Sequence, residues 1–253
     1  MTAKSARKTS DIYVGIGGWT FAPWRGVFYP EKLPQKKELE HASRQLTSIE
    51  INGTYYSTFK PESWKKWHDE TPDGFIFAAK ATRFCTNRRD LTAAGDSIEK
   101  FFAQGMEELG AKLGPINWQL AGTKTFDPDE IAGFLKLLPK DVKGVPLRHA
   151  LEVRNESFKD PRFYDLVRKH NVAIVFADHE EFPEIDEATA DLTYARLMRT
   201  DEGVETGYTP AALDRWSERA ETWGRRGDVF VYFISGAKMR APAAAMALIN
   251  RVK

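Results

Sequence analysis

Short runs rich in β-branched and aromatic residues recur eight times along the chain, at Ile12 to Ile16, Ser48 to Ile51, Phe75 to Ala79, Ile116 to Leu120, His149 to Val153, Val172 to Ala177, Leu192 to Leu197 and Val229 to Ile234. Their length and bounding turn residues predict strands. Between them, apolar residues spaced three and four apart predict helices over Lys36 to Leu46, Pro61 to Glu70, Asp96 to Lys112, Pro128 to Leu138, Pro161 to His170, Pro210 to Trp223 and Ala241 to Val252. Asp127-Pro128, Asp160-Pro161 and Thr209-Pro210 each place a capping oxygen before a proline at the first helical position. One link breaks the rhythm: Phe182 to Ala190 is acidic and short, so the helix between strands six and seven is expected to be missing.

Eight strands alternating with helices predict an α/β fold, a single TIM-barrel-like (β/α)8 domain with a parallel eight-stranded barrel, over residues 11–253. Residues 1–10 read as a flexible polar N-terminal arm. A doubly wound open sheet is the rival, but it calls for a glycine-rich loop opening a helix after the first strand. Gly15-Ile16-Gly17-Gly18-Trp19 is followed instead by Thr20, Phe21 and Pro23. Tryptophans 64, 67, 216 and 223 fall at helical spacings that pack a helix on a barrel.

Charge narrows the partners. With 37 basic and 36 acidic side chains, the net charge of +1 creates no global field for nucleic acid or an anionic membrane, so any nucleic-acid site must be local. No apolar stretch approaches the ~20 residues of a membrane-spanning helix. The N-terminus lacks the apolar core of a secretory signal, and the one cysteine, Cys85, has no internal disulfide partner, so a cytoplasmic protein is expected. No motif assigns a cofactor or an oligomeric state.

In a barrel the reactive groups project from the C-terminal ends of the strands. Strand two ends in Glu50-Ile51-Asn52 followed by Tyr55 and Tyr56, and alternation puts Glu50 and Asn52 on one face. Strand three ends in Lys80, strand four carries Gln119, strand five carries Glu152 and Arg154 on one face, strand six ends in Asp178, and strand seven contains Arg196. Converging, Lys80, Arg154 and Arg196 form a clamp for a phosphate or carboxylate. Glu50, Glu152 and Asp178 are the candidate acids and bases, with Asn52 and Gln119 as further substrate contacts, while Trp19, Trp24, Tyr55 and Tyr56 supply aromatic walls. A structural ion-pair network buried inside the barrel is the competing reading of the same charges.

Other clusters are weaker. Asp178-His179-Glu180-Glu181 reads as a solvated acidic loop rather than a metal site. Cys85 reads as a small buried side chain, since no histidine base is near it in sequence. Arg83, Arg88 and Arg89 are expected on a loop, where they offer phosphate contacts.

Several segments also carry a family resemblance: Gly17-Gly18-Trp19 with Trp24 through Pro30, Glu50 through Tyr56, Trp64 through Pro72, Phe77-Ala78-Ala79-Lys80, Leu113-Gly114-Pro115 with Trp118-Gln119-Leu120, Glu152-Val153-Arg154, Tyr194 through Leu197 and Val231-Tyr232-Phe233. Through them the chain strongly resembles, over almost its whole length, the YecE-like family of domain of unknown function 72. That resemblance implies a TIM-barrel-like fold and, by analogy with endonuclease IV and sugar-isomerase barrels, phosphoester or sugar chemistry. The chain departs from the family pattern at several polar positions, among them ones where histidines usually stand. Ala81-Thr82 and then Asn87 follow the strand-three lysine, Ala121-Gly122 replace prolines, Asn155 follows Arg154, Met198 follows Leu197, and Ile234-Ser235 replace an asparagine pair. Glu50, Asn52, Lys80, Glu152, Arg154 and Arg196 are kept.

Three functions are compatible with these residues. The first is an enzyme of hydrolase or lyase type acting on a small anionic or phosphorylated substrate. The second is a ligand-binding or regulatory barrel without turnover. The third is a protein that holds nucleic-acid phosphates.

Overall fold

The eight hydrophobic runs become eight parallel strands that close on themselves. In the computed structural model, which describes residues 10–252, they are β1 (Ile12–Gly17), β2 (Ser48–Ile51), β3 (Ile76–Lys80), β4 (Leu113–Gln119), β5 (His149–Glu152), β6 (Val172–Asp178), β7 (Leu192–Leu197) and β8 (Asp228–Phe233). Each pairs with its sequence neighbour, and β1 pairs with β8 to close the barrel. The expected arm lies outside the described residues except for Ser10.

The helices sit outside: α1 (Glu38–Ser43), α2 (Pro61–Glu70), α3 (Arg83–Thr86), α4 (Gly95–Phe102), α5 (Pro128–Leu137), α6 (Pro161–Lys169), α7 (Pro210–Gly224) and α8 (Ala241–Ile249). Asp127, Asp160 and Thr209 do cap α5, α6 and α7 with their side-chain oxygens. The single helix expected over Asp96 to Lys112 is instead α4 followed by a 3-10 stretch at Met106–Lys112. The break falls at Gly105, whose φ of +89° is left-handed and which lies against Pro61, where a Cβ would come within 2.7 Å. Arg83 is not on a loop, because residues 83–86 form the one-turn helix α3.

No helix joins β6 to β7 among the described residues, as the short acidic link implied. A fixed loop replaces it: Asp186 accepts from the Trp223 indole at 2.8 Å and from Arg219 at 2.9 Å. The Arg219 guanidinium in turn lies 4.1 Å from the centre of the Phe176 ring.

Strand alternation divides the core into two apolar layers. Outward residues and the inner faces of the helices form the larger one, including Trp24, Trp64, Trp118 and Trp223, all buried. Inside the barrel, Ile76, Ala78, Ala150, Ala173, Val175, Leu192, Tyr194, Phe230 and Tyr232 fill the lower and middle levels. The alanines on β3, β5 and β6 are small, which leaves room for long side chains reaching across from β7 and β8. Burial of this extent supplies the main folding drive, at roughly 25 cal/mol per Å² of apolar surface.

Candidate functional site

Above that apolar plug, the inward positions turn polar. Register places Lys80 beside Asn117, Gln119 beside Glu152, and Arg196 between Ala177 and Tyr232. Alternation then points Glu50, Lys80, Asn117, Glu152 and Arg196 at the barrel axis near its C-terminal end.

Arg196 is the hinge of this layer. Its guanidinium donates to Glu152 at 2.6 Å and to Glu50 at 3.2 Å, so one cation from β7 ties β5 to β2 across the barrel. Arg154 donates to Glu152 through Nε at 2.8 Å and Nη2 at 2.6 Å, and its Nη2 also reaches Gln119 at 2.6 Å. Tyr194 donates its hydroxyl to Glu50 at 2.5 Å. The Asn117 amide lies 3.2 Å from Glu152 and 3.4 Å from Glu50. Asn117 Oδ1 and Arg196 Nε are buried without a partner among the described residues.

The electrostatics follow from crowding charges away from water. Burial alone would raise the Glu152 carboxyl, but Arg196, Arg154 and Lys80 together hold it down to about 2. Burial would weaken the Arg196 cation, yet the two glutamates raise its pKa beyond the usual guanidinium range. Burial and the neighbouring Glu50 push the Tyr194 hydroxyl well above its ordinary value, so it remains a donor. Lys80 moves the other way: desolvation, reinforced by Arg196, lowers it to about 8. Its ammonium makes no salt bridge among the described residues and rests 4.6 Å from the centre of the Tyr55 ring.

A cavity of about 410 Å³ opens directly over this layer. Lys80, Arg154, Arg196 and Lys238 supply its charge, and Gly17, Trp24, Asn52, Tyr55, Tyr56, Gln119 and the segment from Phe233 to Ser235 complete the wall. Among the described residues, no carboxylate lines it. Glu50 and Glu152 are fully buried beneath, every oxygen occupied by an arginine, tyrosine or asparagine donor. Neither carboxylate lines the cavity, and both bind the arginines that do.

The predicted residues do not all meet. Asn52, Tyr55, Tyr56, Lys80, Gln119, Arg154 and Arg196 line the cavity, and Glu50 and Glu152 form its floor. Trp19 lies beside it, lining a neighbouring 310 Å³ cavity and meeting Trp67 edge-on at 5.1 Å. Asp178 is excluded. It shares the outward parity of Phe176, whose ring meets Trp216 and Trp223; it receives the Tyr208 hydroxyl at 2.8 Å and forms an ion pair with Arg199 at 3.3 Å. Asp178 is therefore not among the residues that line this cavity.

Three members were missed. Tyr194 and Asn117 were legible in principle, since each precedes a chosen residue by two positions on the same strand face. Lys238 carried no sequence signal. It opens the 3-10 turn Lys238–Arg240 after β8, held there by the Trp24 indole, which donates to its carbonyl at 2.9 Å.

The remaining candidates are structural. Cys85 is buried, and desolvation pushes its thiol up to about 12, so no thiolate is available. His149 is held neutral by burial, its pKa down to about 4, between the Trp118 indole and the Pro139 carbonyl. His179 stacks on Phe182 at 3.8 Å, and Phe182 in turn lies 4.4 Å from the Arg154 guanidinium. Among the described residues no group of three or more histidine, cysteine, aspartate or glutamate side chains is placed to hold a metal ion, and no helix is long and apolar enough to cross a membrane.

Known proteins share this architecture. A DUF72 family protein of Thermotoga maritima superposes with a TM-score of 0.79 at 23% identity, covering 95% of this chain and 98% of its own. A DUF72 family protein of Enterococcus faecalis gives 0.70 at 18% identity, over 96% of this chain and 99% of its own. At these identities the likeness establishes the fold. In sequence, UPF0759 protein YecE of Escherichia coli K12 is 29% identical over 142 residues, which is 54% of this chain; the match spans about half (48%) of that relative's length. Residues 13–253 match the family described as "Protein of unknown function DUF72", and the chain, with its eight-stranded parallel barrel, belongs to that family.

Proposed function

We propose that this protein is an enzyme that binds a small anionic substrate, a carboxylate or phosphate ester, at the C-terminal face of its barrel, with Lys80 as the proton-transferring group in lyase-type chemistry. The observation that carries the reading is the cavity wall: among the described residues it holds four cations, Lys80, Arg154, Arg196 and Lys238, and no carboxylate. Arginines fixed by buried glutamates present preorganised donors, which favour an anion without reorganisation at the moment of reaction. Lys80, lowered to about 8, is poised to carry a proton near neutral pH, as an acid–base group must be. The arginines stabilise negative charge that develops beside it.

The test is calorimetric binding of inorganic phosphate and small carboxylates to the wild type, Lys80→Ala and Arg154→Ala. A panel of phosphorylated sugars and 2-keto acids is followed in deuterated water for proton exchange. At least tenfold weaker anion binding in both variants is expected, as is exchange abolished by Lys80→Ala. Binding in the wild type should weaken as pH rises through about 8, because Lys80 then loses its charge. An absence of anion binding at any concentration tested sinks the reading. Binding without exchange or turnover supports a ligand-binding barrel, which the lack of any imidazole in the cavity wall favours. Oligonucleotide binding that weakens steeply with salt would support a nucleic-acid phosphate site instead.

A further inference from the structure

Beside the anion cavity lies a larger one, about 620 Å³, whose lining differs in chemistry. It is bounded by the loop after β2, by Thr82 and Phe84 after β3, and by Ser97 and Lys100 on α4. Only three large hydrophobic side chains are exposed among the described residues, and two of them, Tyr56 at 69% and Phe84 at 63%, flank this cavity. Exposed rings converging on one cavity differ from singly scattered surface hydrophobes, which need no explanation.

Two further observations give the cavity a direction. Tyr56 belongs to both walls, the 620 Å³ cavity on one side and the 410 Å³ anion cavity on the other. From the Lys80 ammonium to the Tyr55 ring is 4.6 Å, and from Tyr55 to Tyr56 is 4.9 Å, so the second cavity begins within the reach of a modest organic anion. Its polar complement is also unspent. The hydroxyls of Ser57, Thr58, Thr82 and Ser97 line it, none makes a side-chain hydrogen bond among the described residues, and Thr82 leaves the start of α3 uncapped. Gln104, by contrast, is committed to the backbone of Phe59 and Phe101.

We infer that the substrate is bipartite: an anionic head held over Glu50 and Glu152 by Lys80, Arg154 and Arg196, and a flat aromatic or heteroaromatic ring that passes Tyr56 and lies against Phe84. The inference rests on the anion reading above and names the class of substrate for the same site. Hydroxyls that both donate and accept suit ring nitrogens and oxygens, and exposed aromatic faces suit stacking. Among the described residues no acidic side chain lines the second cavity and Lys100 is its one charge, which disfavours a cationic ring.

Three probes separate the parts: inorganic phosphate, phenyl phosphate and benzyl alcohol, each titrated calorimetrically into the full chain and into Phe84→Ala. Phe84 is exposed and lines only the second of these two cavities, so its truncation leaves the barrel folded. Phenyl phosphate should bind the wild type at least about fivefold more tightly than inorganic phosphate, with most of that margin lost in Phe84→Ala. Equal affinities for the two phosphates in the wild type overturn the bipartite substrate while leaving the anion site standing. The same holds if the margin survives Phe84→Ala undiminished. Benzyl alcohol binding with neither phosphate bound overturns the anion site itself, and with it the bipartite substrate.

Discussion

Two trios of the same composition stand near the C-terminal end of this barrel and have opposite fates. In one, Glu50 receives the Tyr194 hydroxyl at 2.5 Å and Arg196 at 3.2 Å, and nothing of the carboxylate is exposed. In the other, Asp178 receives the Tyr208 hydroxyl at 2.8 Å and pairs electrostatically with Arg199 at 3.3 Å, with Arg199 46% exposed. The first trio faces the barrel axis and joins Glu152, Asn117 and Arg154. The second faces outward and ties the end of β6 to the loop after β7. Position at a strand end therefore does not make a residue part of the site; parity on the strand does, because the inward face of one strand meets those of the other seven.

The contrast is sharpest in stability. Replacing Arg196 with leucine strands two buried carboxylates, and removing one partner of a buried pair typically costs about 3–5 kcal/mol. Urea denaturation at pH 7 should show a loss of that size, and a loss below about 1 kcal/mol would mean that water already screens the inner trio. Acid separates the two regions next. Glu152 is near 2 in the folded chain and ordinary when unfolded, so below about 4.5 the unfolded chain takes up the proton first. Its contribution is complete above about 4.5 and drains away as pH falls toward 2. Asp178 has the opposite sign. Burial raises its carboxyl despite the Tyr208 bond, so the folded chain binds that proton first and acid favours it. Denaturation midpoints at pH 7 and pH 4 should therefore move in opposite directions relative to wild type in Glu152→Gln and Asp178→Asn: the penalty of the first shrinks in acid, while the benefit of the second fades. The smallest effect is Asp178→Asn at pH 7, expected within about 1 kcal/mol of wild type because its arginine is half in water. A larger destabilisation would place Asp178 among residues that hold the mouth together.

The inner trio also bears on the competing reading of these charges. A purely structural ion-pair network would leave each cation paired and no cavity above it. Arg154 and Arg196 are paired, yet both still line the cavity, and Lys80 lines it with its ammonium over the Tyr55 ring and in no ion pair among the described residues. The glutamates fix the arginines, and the arginines and Lys80 line the cavity.

Much of this was written along the chain. Eight hydrophobic runs announced the eight strands, Asp127, Asp160 and Thr209 announced three helix starts, and the acidic link after β6 announced a missing helix. Local sequence carries these because they depend on side-chain period, capping oxygens and proline geometry, all of which act within a few residues. Alternation also paired Glu50 with Asn52 and Glu152 with Arg154. What only the tertiary structure decided was which ends met: that Arg196 would reach Glu50 across the barrel, that Asp178 would turn its back on both, and that Lys238 would be brought to the cavity by the Trp24 indole. Those outcomes depend on barrel closure and register between strands far apart in sequence, and on the space that alanines on one wall leave for long side chains from another.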